Sequence, residues 1–248
     1  MRIFSGLPWP LGPVAHRGLH DARHGIIENT ASAFMAAIAA GYAIETDVQG
    51  AAGDEPVVFH DETLARLTHA GGSVAALTPD ALKAVAFKES QDRILSLREF
   101  LDLVAGRVPV YVEIKTVGDN APRLVQKVAA MLATYNGPLA MMSFDPRAVR
   151  AMRFLAPHLP RGLVSMRFTR EEAPELSPLT RFRLTHMLDF PAARPNFLAY
   201  HVGDLPGLGV ALLRRLGLPV LAWTVRNEDQ RRQAMTYADA IIFEELRP

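Results

Sequence analysis

The sequence predicts an α/β protein folded as one closed parallel (β/α)8 barrel over residues 1–248, and three observations predict it. The chain has 248 residues, close to the ~250 that a barrel of eight strands and eight helices requires. Short apolar runs alternate with helical patterns along most of its length. The polar clusters of its first half fall at or just past the C-terminal ends of those apolar runs, the end at which such barrels carry their sites.

The elements follow in order. Val14-Ala15 is short and apolar and runs into polar residues, so it reads as a strand ending in a functional loop. Asn29-Thr30 offers a cap for a helix in which Ala31, Phe34 and Ile38 lie at helical spacing until Gly41 stops it. Residues 42–48 form the second strand. The glycines of Gly50-Ala51-Ala52-Gly53-Asp54 suit a hairpin to a brief extra strand at 57–59. Thr78-Pro79-Asp80 opens one helix and Ser96 another, whose apolar face holds Phe100, Leu101 and Val104. Strands are then expected at 109–114, 139–143, 162–165, 197–201, 220–224 and 240–243. The helices between them are expected at 122–135, 146–155, 170–187, 208–216 and 227–237. An open doubly wound sheet is the alternative, but the chain contains neither GxGxxG nor GxxxxGK.

Composition narrows the chemistry. Apolar residues make up 49% and charged residues 21%, the balance of an ordinary globular protein. Lys plus Arg is 27 against 26 for Asp plus Glu, so no global field favours nucleic acid. The absence of cysteine removes disulfides, thiolate nucleophiles and sulfur-ligated metals together, and is compatible with the expected cytoplasmic location. The N-terminus, broken by Pro8 and Pro10, lacks the apolar centre of an export signal. The longest uncharged apolar run, residues 31–44, falls short of the ~20 residues that span a bilayer.

Glu45 and Asp47 stand two apart on a strand, so both leave the same face, which in a barrel can be the interior. Alone they fit a solvated strand end better than a metal site. Glu113 on the expected neighbouring strand shifts the balance, because three inward carboxylates call for a cation, and oxygen donors select hard ions such as Mg²⁺ or Ca²⁺ over zinc. Lys115 can neutralise Glu113 or bind an anionic substrate oxygen. His16 and His60 converge on this end, where one can act as base and the other protonate a leaving oxygen near neutral pH. Arg17 supplies a planar fork suited to phosphate.

Taken together, His16-Arg17-Gly18, Glu28-Asn29-Thr30, Glu45-x-Asp47, His60-Asp61, Glu113-x-Lys115, Ser143-Phe144 and Trp223-Thr224-Val225 resemble the glycerophosphodiester phosphodiesterase family across nearly the whole chain. The resemblance is to its compact bacterial members, and the family is related in fold to phosphatidylinositol-specific phospholipase C. It implies a (β/α)8 TIM barrel, with Glu45, Asp47 and Glu113 holding one divalent ion (Mg²⁺ or Ca²⁺, with Mn²⁺ a further candidate). It also implies His16 and His60 as the acid–base pair, Arg17 and Lys115 as phosphate ligands, and Trp223 as an aromatic shaping the substrate pocket. Two departures stand out: Gly53-Asp54 replaces the usual Asp-Gly turn, and Asp239-Ala240-Ile241-Ile242-Phe243-Glu244 replaces the usual Asp-Gly-Ile-Ile-Thr-Asp ending. Neither is expected to touch the proposed ligands, and the second is expected to bear on the pocket floor around the eighth strand and so on substrate preference.

The expected activity is metal-dependent cleavage of small-molecule glycerophosphodiesters to an alcohol and sn-glycerol 3-phosphate. Three rivals are a lysophospholipase D, a catalytically silent phosphoester-binding barrel and an aldolase using Lys115 as a Schiff base. The first needs an apolar groove at the barrel mouth, for which Leu64, Leu67, Val74 and Leu77 are the candidates, within a short lid spanning 64–87. A homodimer through an apolar exterior patch is a further expectation.

Overall fold

The computed structural model describes residues 7–116 and 121–248, so part of the N-terminal stretch read above, residues 1–6, lies outside the described residues. Ten strands form one sheet: β1 (Val14–Ala15), β2 (Ala43–Gly50), β3 (Pro56–Val58), β4 (Leu95–Ser96), β5 (Val110–Ile114), β6 (Leu139–Ser143), β7 (Arg161–Ser165), β8 (Phe197–His201), β9 (Val220–Val225) and β10 (Ala240–Phe243). Eight of them, β1, β2 and β5 to β10, are parallel and close into a barrel, because β1 pairs with both β10 and β2. The other two form an antiparallel extension, β3 on β2 and β4 on β3.

The helices of the outer layer are α1 (Ala31–Ala39), α2 (Pro79–Lys83), α3 (Leu97–Val104), α4 (Ala121–Leu132), α5 (Pro146–Leu155), α6 (Pro178–Thr185), α7 (Phe190–Ala193), α8 (Leu208–Arg215) and α9 (Glu228–Tyr237). Their starts follow the local chemistry. Thr30 accepts from the Ala33 N–H at α1, Ser96 and Glu99 form a reciprocal capping box at α3, and Asp145 and Asn227 cap α5 and α9. The expected helix at 170–187 is shorter than its pattern suggested. Pro174 cannot continue a helix and biases Ala173 away from it, so the helix begins only at Pro178, behind the Ser177 cap.

Strand alternation sorts the core into two layers. In β2 and β5, Ile44, Val48, Val110, Val112 and Ile114 face the helices, while Ala43 and Tyr111 join the cluster inside the barrel. Phe197 fills the interior beside Gly162, where an added Cβ would stand 2.3 Å from the Phe197 ring. Trp9 closes the opposite end, its Nε1 donating to the Tyr111 hydroxyl at 3.2 Å.

Between β3 and β4 the chain builds a separate small core of Phe59, Leu64, Val74, Leu82, Phe87 and Ile94, with Leu67 and Leu77 packed against it. This packing argues against the apolar groove that the lysophospholipase D rival needs there. Leu64 and Val74 are fully buried, because a segment this small holds its shape only by turning its few large side chains toward one another, each worth roughly 1.5–3 kcal/mol when buried. Among the described residues, no helix is long and apolar enough to cross a membrane.

Candidate active site

The C-terminal ends of β1, β2, β3 and β5 bring seven of the eight expected site residues together. Asp47 and Glu113 are register partners across β2 and β5, so Glu45, Asp47 and Glu113 all turn into the barrel. One oxygen from each lies within 4.8 Å of the others, and the three side chains are buried. Lys115 Nζ sits 3.1 Å from Asp47 Oδ1 and 2.6 Å from Glu113 Oε1. Arg17 Nε is 3.2 Å from Asp47 Oδ2, and its Nη1 donates to Glu28 Oε1 at 2.7 Å.

The backbone that presents these groups is held tightly. Arg17 lies in the left-handed region, and Gly18 follows at φ 82°, with an added Cβ falling 2.9 Å from Ala33. Only glycine lets the loop pass so close to α1. The Arg17 N–H donates to Glu45 Oε2 at 2.9 Å. Asn29 donates to Asp47 Oδ2 at 2.9 Å while its Oδ1 accepts from the Thr46 hydroxyl. It thereby clamps β2 at the residue where the acids turn inward.

Charge balance separates the three acids. Burial works to raise the Asp47 carboxyl, but Lys115 and Arg17 outweigh it and hold Asp47 far below the usual range. Burial dominates at Glu45, with Asp47 and Glu113 adding repulsion, so its carboxyl is pushed well above the ordinary value. Its Oε1 is buried without a hydrogen-bond donor. An all-oxygen cluster with an orphaned oxygen and an acid that resists ionisation fits a hard divalent cation, which would supply the missing positive charge.

His16 Nδ1 is 2.7 Å from Glu244 Oε2, and its Nε2 is 3.9 Å from Glu45 Oε2. Burial lowers its pKa, an effect that Glu244 partly offsets. His60 Nδ1 is 2.7 Å from Asp61 Oδ1, and Asp61 is gripped in turn by Arg66, which also bonds both oxygens of Glu28. Trp223, the eighth expected residue, stands on the opposite wall of the mouth. Its ring lies 5.4 Å from Phe144 and 5.2 Å from His201, and Lys115 Nζ is 5.9 Å from the Phe144 centroid.

Glu244 and Arg66 carry no side-chain role in the sequence reading, Asn29 enters it only as a cap candidate within a family motif, and His20 and His201 were set aside there. The altered ending reaches the site at its acid–base pair, because β10 delivers the Glu244 carboxylate to His16 and, at 3.5 Å, to His20. The alternation of β8 and β9 likewise turns His201 inward beside Trp223, which no local pattern announces.

Fold and site together define a (β/α)8 barrel protein whose C-terminal mouth gathers acids, bases and cations around one point. A model of the glycerophosphoryl diester phosphodiesterase family matches residues 16–246, and the chain belongs to that family. A curated glycerophosphodiester phosphodiesterase from Caldanaerobacter subterraneus subsp. tengcongensis is 28% identical over 240 residues, covering 92% of each chain. A phosphodiesterase of Oleispira antarctica, solved in complex with the product sn-glycerol-3-phosphate, superposes with a TM-score of 0.78 at 20% identity, over 94% of this chain and 92% of that one. The glycerophosphodiester phosphodiesterase of Thermotoga maritima gives a TM-score of 0.70 at 22% identity, over 93% of both chains. These two likenesses concern the fold.

Proposed function

We propose that the chain hydrolyses sn-glycero-3-phosphodiesters to an alcohol and sn-glycerol 3-phosphate by acid–base catalysis between His16 and His60, assisted by one divalent cation. The reading is carried by the cluster of Glu45, Asp47 and Glu113 with Lys115 and Arg17 against it, in a chain of this family. The product bound to the Oleispira antarctica enzyme supports the same substrate class.

A cation held by Glu45, Asp47 and Glu113 would supply positive charge to the phosphoryl oxygens and ease ionisation of an attacking hydroxyl. Arg17 and Lys115 orient the phosphoryl group and stabilise the charge that builds on it as the new P–O bond forms. His16, kept neutral by burial and held at Nδ1 by Glu244, takes the proton of the attacking hydroxyl. His60, held at Nδ1 by Asp61, gives a proton to the alcohol oxygen as its P–O bond breaks. Trp223 and Phe144 wall the pocket beside Lys115 and exclude water.

The test is release of sn-glycerol 3-phosphate from glycerophosphocholine and glycerophosphoethanolamine by chelator-stripped protein resupplied with Mg²⁺, Ca²⁺ or Mn²⁺. Turnover restored by one ion supports the reading and names the ion. Folded protein inactive with every ion would overturn it. His16→Ala is expected to lose about 10²–10⁴-fold in kcat with folding intact, and retained activity would remove its role.

A further inference from the structure

A second cavity, of about 480 Å³, opens beside the barrel between the ends of β7 and β8 and the start of α8. It shares no lining residue with the carboxylate cluster. Alternation along β8 creates its floor: Ala199 turns into the barrel, so Tyr200 turns out toward the helix layer and joins the core there. Tyr200 is only 4% exposed. Among the described residues its hydroxyl has no hydrogen-bond partner, and it lies 3.5 Å from where a Cβ on Gly207 would stand. The hydroxyl is the end of this otherwise buried side chain that reaches the cavity, where it faces the N-terminus of α8.

That helix end is itself unsatisfied. Gly207 occupies the N-cap position and offers no side chain, so the N–H groups of Leu208, Gly209 and Val210 meet no acceptor among the described residues. Arg167 completes the lining. Its backbone N–H donates to Asp204 Oδ2 at 2.9 Å, while its guanidinium makes no ion pair among the described residues. Burial pushes the Tyr200 hydroxyl up, Asp204 adds to the rise and Arg167 opposes it, so both charges act on that hydroxyl. Asp204 contributes the one carboxylate of the lining, and its Oδ2 is already claimed by Arg167 N–H and by His201 Nδ1 at 3.1 Å.

Free helix amides, an unpaired hydroxyl and an unpaired guanidinium are all donors, and what they share is affinity for an oxyanion with several acceptor oxygens. We propose that this cavity is a second anion site that takes a phosphomonoester or inorganic phosphate. The phosphoryl oxygens accept from the amides of α8 and from Tyr200, and Arg167 covers the open side. The site does not depend on the hydrolysis proposed above, although sn-glycerol 3-phosphate, the product under that reading, is one source of the anion.

The test follows backbone amide shifts of the isotopically labelled full chain during titration with inorganic phosphate and, separately, with sn-glycerol 3-phosphate. Saturating shifts at Leu208, Gly209 and Val210 are expected, with a dissociation constant below about 1 mM for at least one ligand. They should persist in Arg17→Ala, which weakens anion binding at the barrel mouth. They should weaken about tenfold in Arg167→Ala, whose turnover stays at the wild-type level, and severalfold in Tyr200→Phe, which keeps the ring packing. Tighter binding of the glycerol ester assigns the site to a phosphomonoester, and equal binding assigns it to the phosphate group alone. Shifts confined to the barrel mouth, loss of the α8 shifts in Arg17→Ala, or no saturation with either ligand would overturn the proposal. A protein inactive in hydrolysis but showing the α8 shifts would leave this site standing.

Discussion

His16 and Glu244, 228 residues apart in sequence, meet at 2.7 Å between Nδ1 and Oε2. The contact joins the first barrel strand to the last, and β1 and β10 are neighbours only because the barrel closes. Glu244 is itself held far below the usual carboxylate range, since bonds to His16 and His20 outweigh the burial that works to raise it. It therefore stays ionised and keeps the His16 proton on Nδ1, which leaves Nε2 free to accept one.

A pH prediction follows from the sign of that contact. Burial lowers the His16 pKa and Glu244 opposes the lowering, so Glu244→Gln removes the opposition and the pKa falls further. His16 then loses its base function by protonation only at lower pH. The acid limb of the kcat/KM profile should move to lower pH, with a reduced plateau, and Glu244→Ala should lose about 10- to 100-fold in activity. An acid limb that stays in place or moves upward would show that Glu244 does not act on His16.

How much of this was legible in the sequence depends on distance along the chain. Glu45 and Asp47 were readable because a two-residue period fixes their common face, and Glu113 because the next parallel strand repeats the pattern. The helix starts at Thr30, Ser96 and Asn227 were readable because caps are local chemistry. The Glu244 ending was readable as a change at the pocket floor, but its pairing with His16 was not, since nothing near Phe243 reports which side chain it meets. Leu64 and Val74 stayed open as candidates for a groove because composition alone does not distinguish an exposed apolar patch from a small private core.

Arg66 bonds both oxygens of Asp61 and both of Glu28, and so pins the segment after β3 over the site. Burial would raise the Asp61 carboxyl, yet the bonds from Arg66 and His60 hold it at about 2, below its ordinary value of 3.8. Its contribution to stability is therefore fully present above pH 3.8 and is lost as pH falls through about 2. Arg66 is exposed and Asp61 only half-buried, so solvent screening keeps that contribution to about 1 kcal/mol or less. Thermal denaturation of wild type and Asp61→Asn should differ at neutral pH and converge in that acid window. A constant difference across it would show that the Asp61 charge is not the source.

Leu64 anchors the small core between β3 and β4. Leu64→Ala should cost about 2–5 kcal/mol in denaturant unfolding, while KM for a glycerophosphodiester stays unchanged, because the side chain is fully buried away from the mouth. A loss of activity on lysolipids that spares deacylated diesters, with stability intact, would restore the groove that the packing argues against.

The metal prediction rests on Glu45, whose carboxyl burial and two acidic neighbours push well above the ordinary value. A cation at the oxygens of Glu45, Asp47 and Glu113 favours the ionised form of all three, so binding must expel the proton that Glu45 otherwise holds. Affinity should then rise with pH until Glu45 is ionised in the metal-free protein, and level off above that point. Calorimetric titration with Mg²⁺ or Ca²⁺ in two buffers of different ionisation heat measures the released proton directly. Glu45→Gln should abolish the release and flatten the pH dependence, and Glu113→Ala should weaken binding outright. If wild type binds the cation with no proton released at any pH, Glu45 is already ionised and does not hold the cation in the way its burial implies.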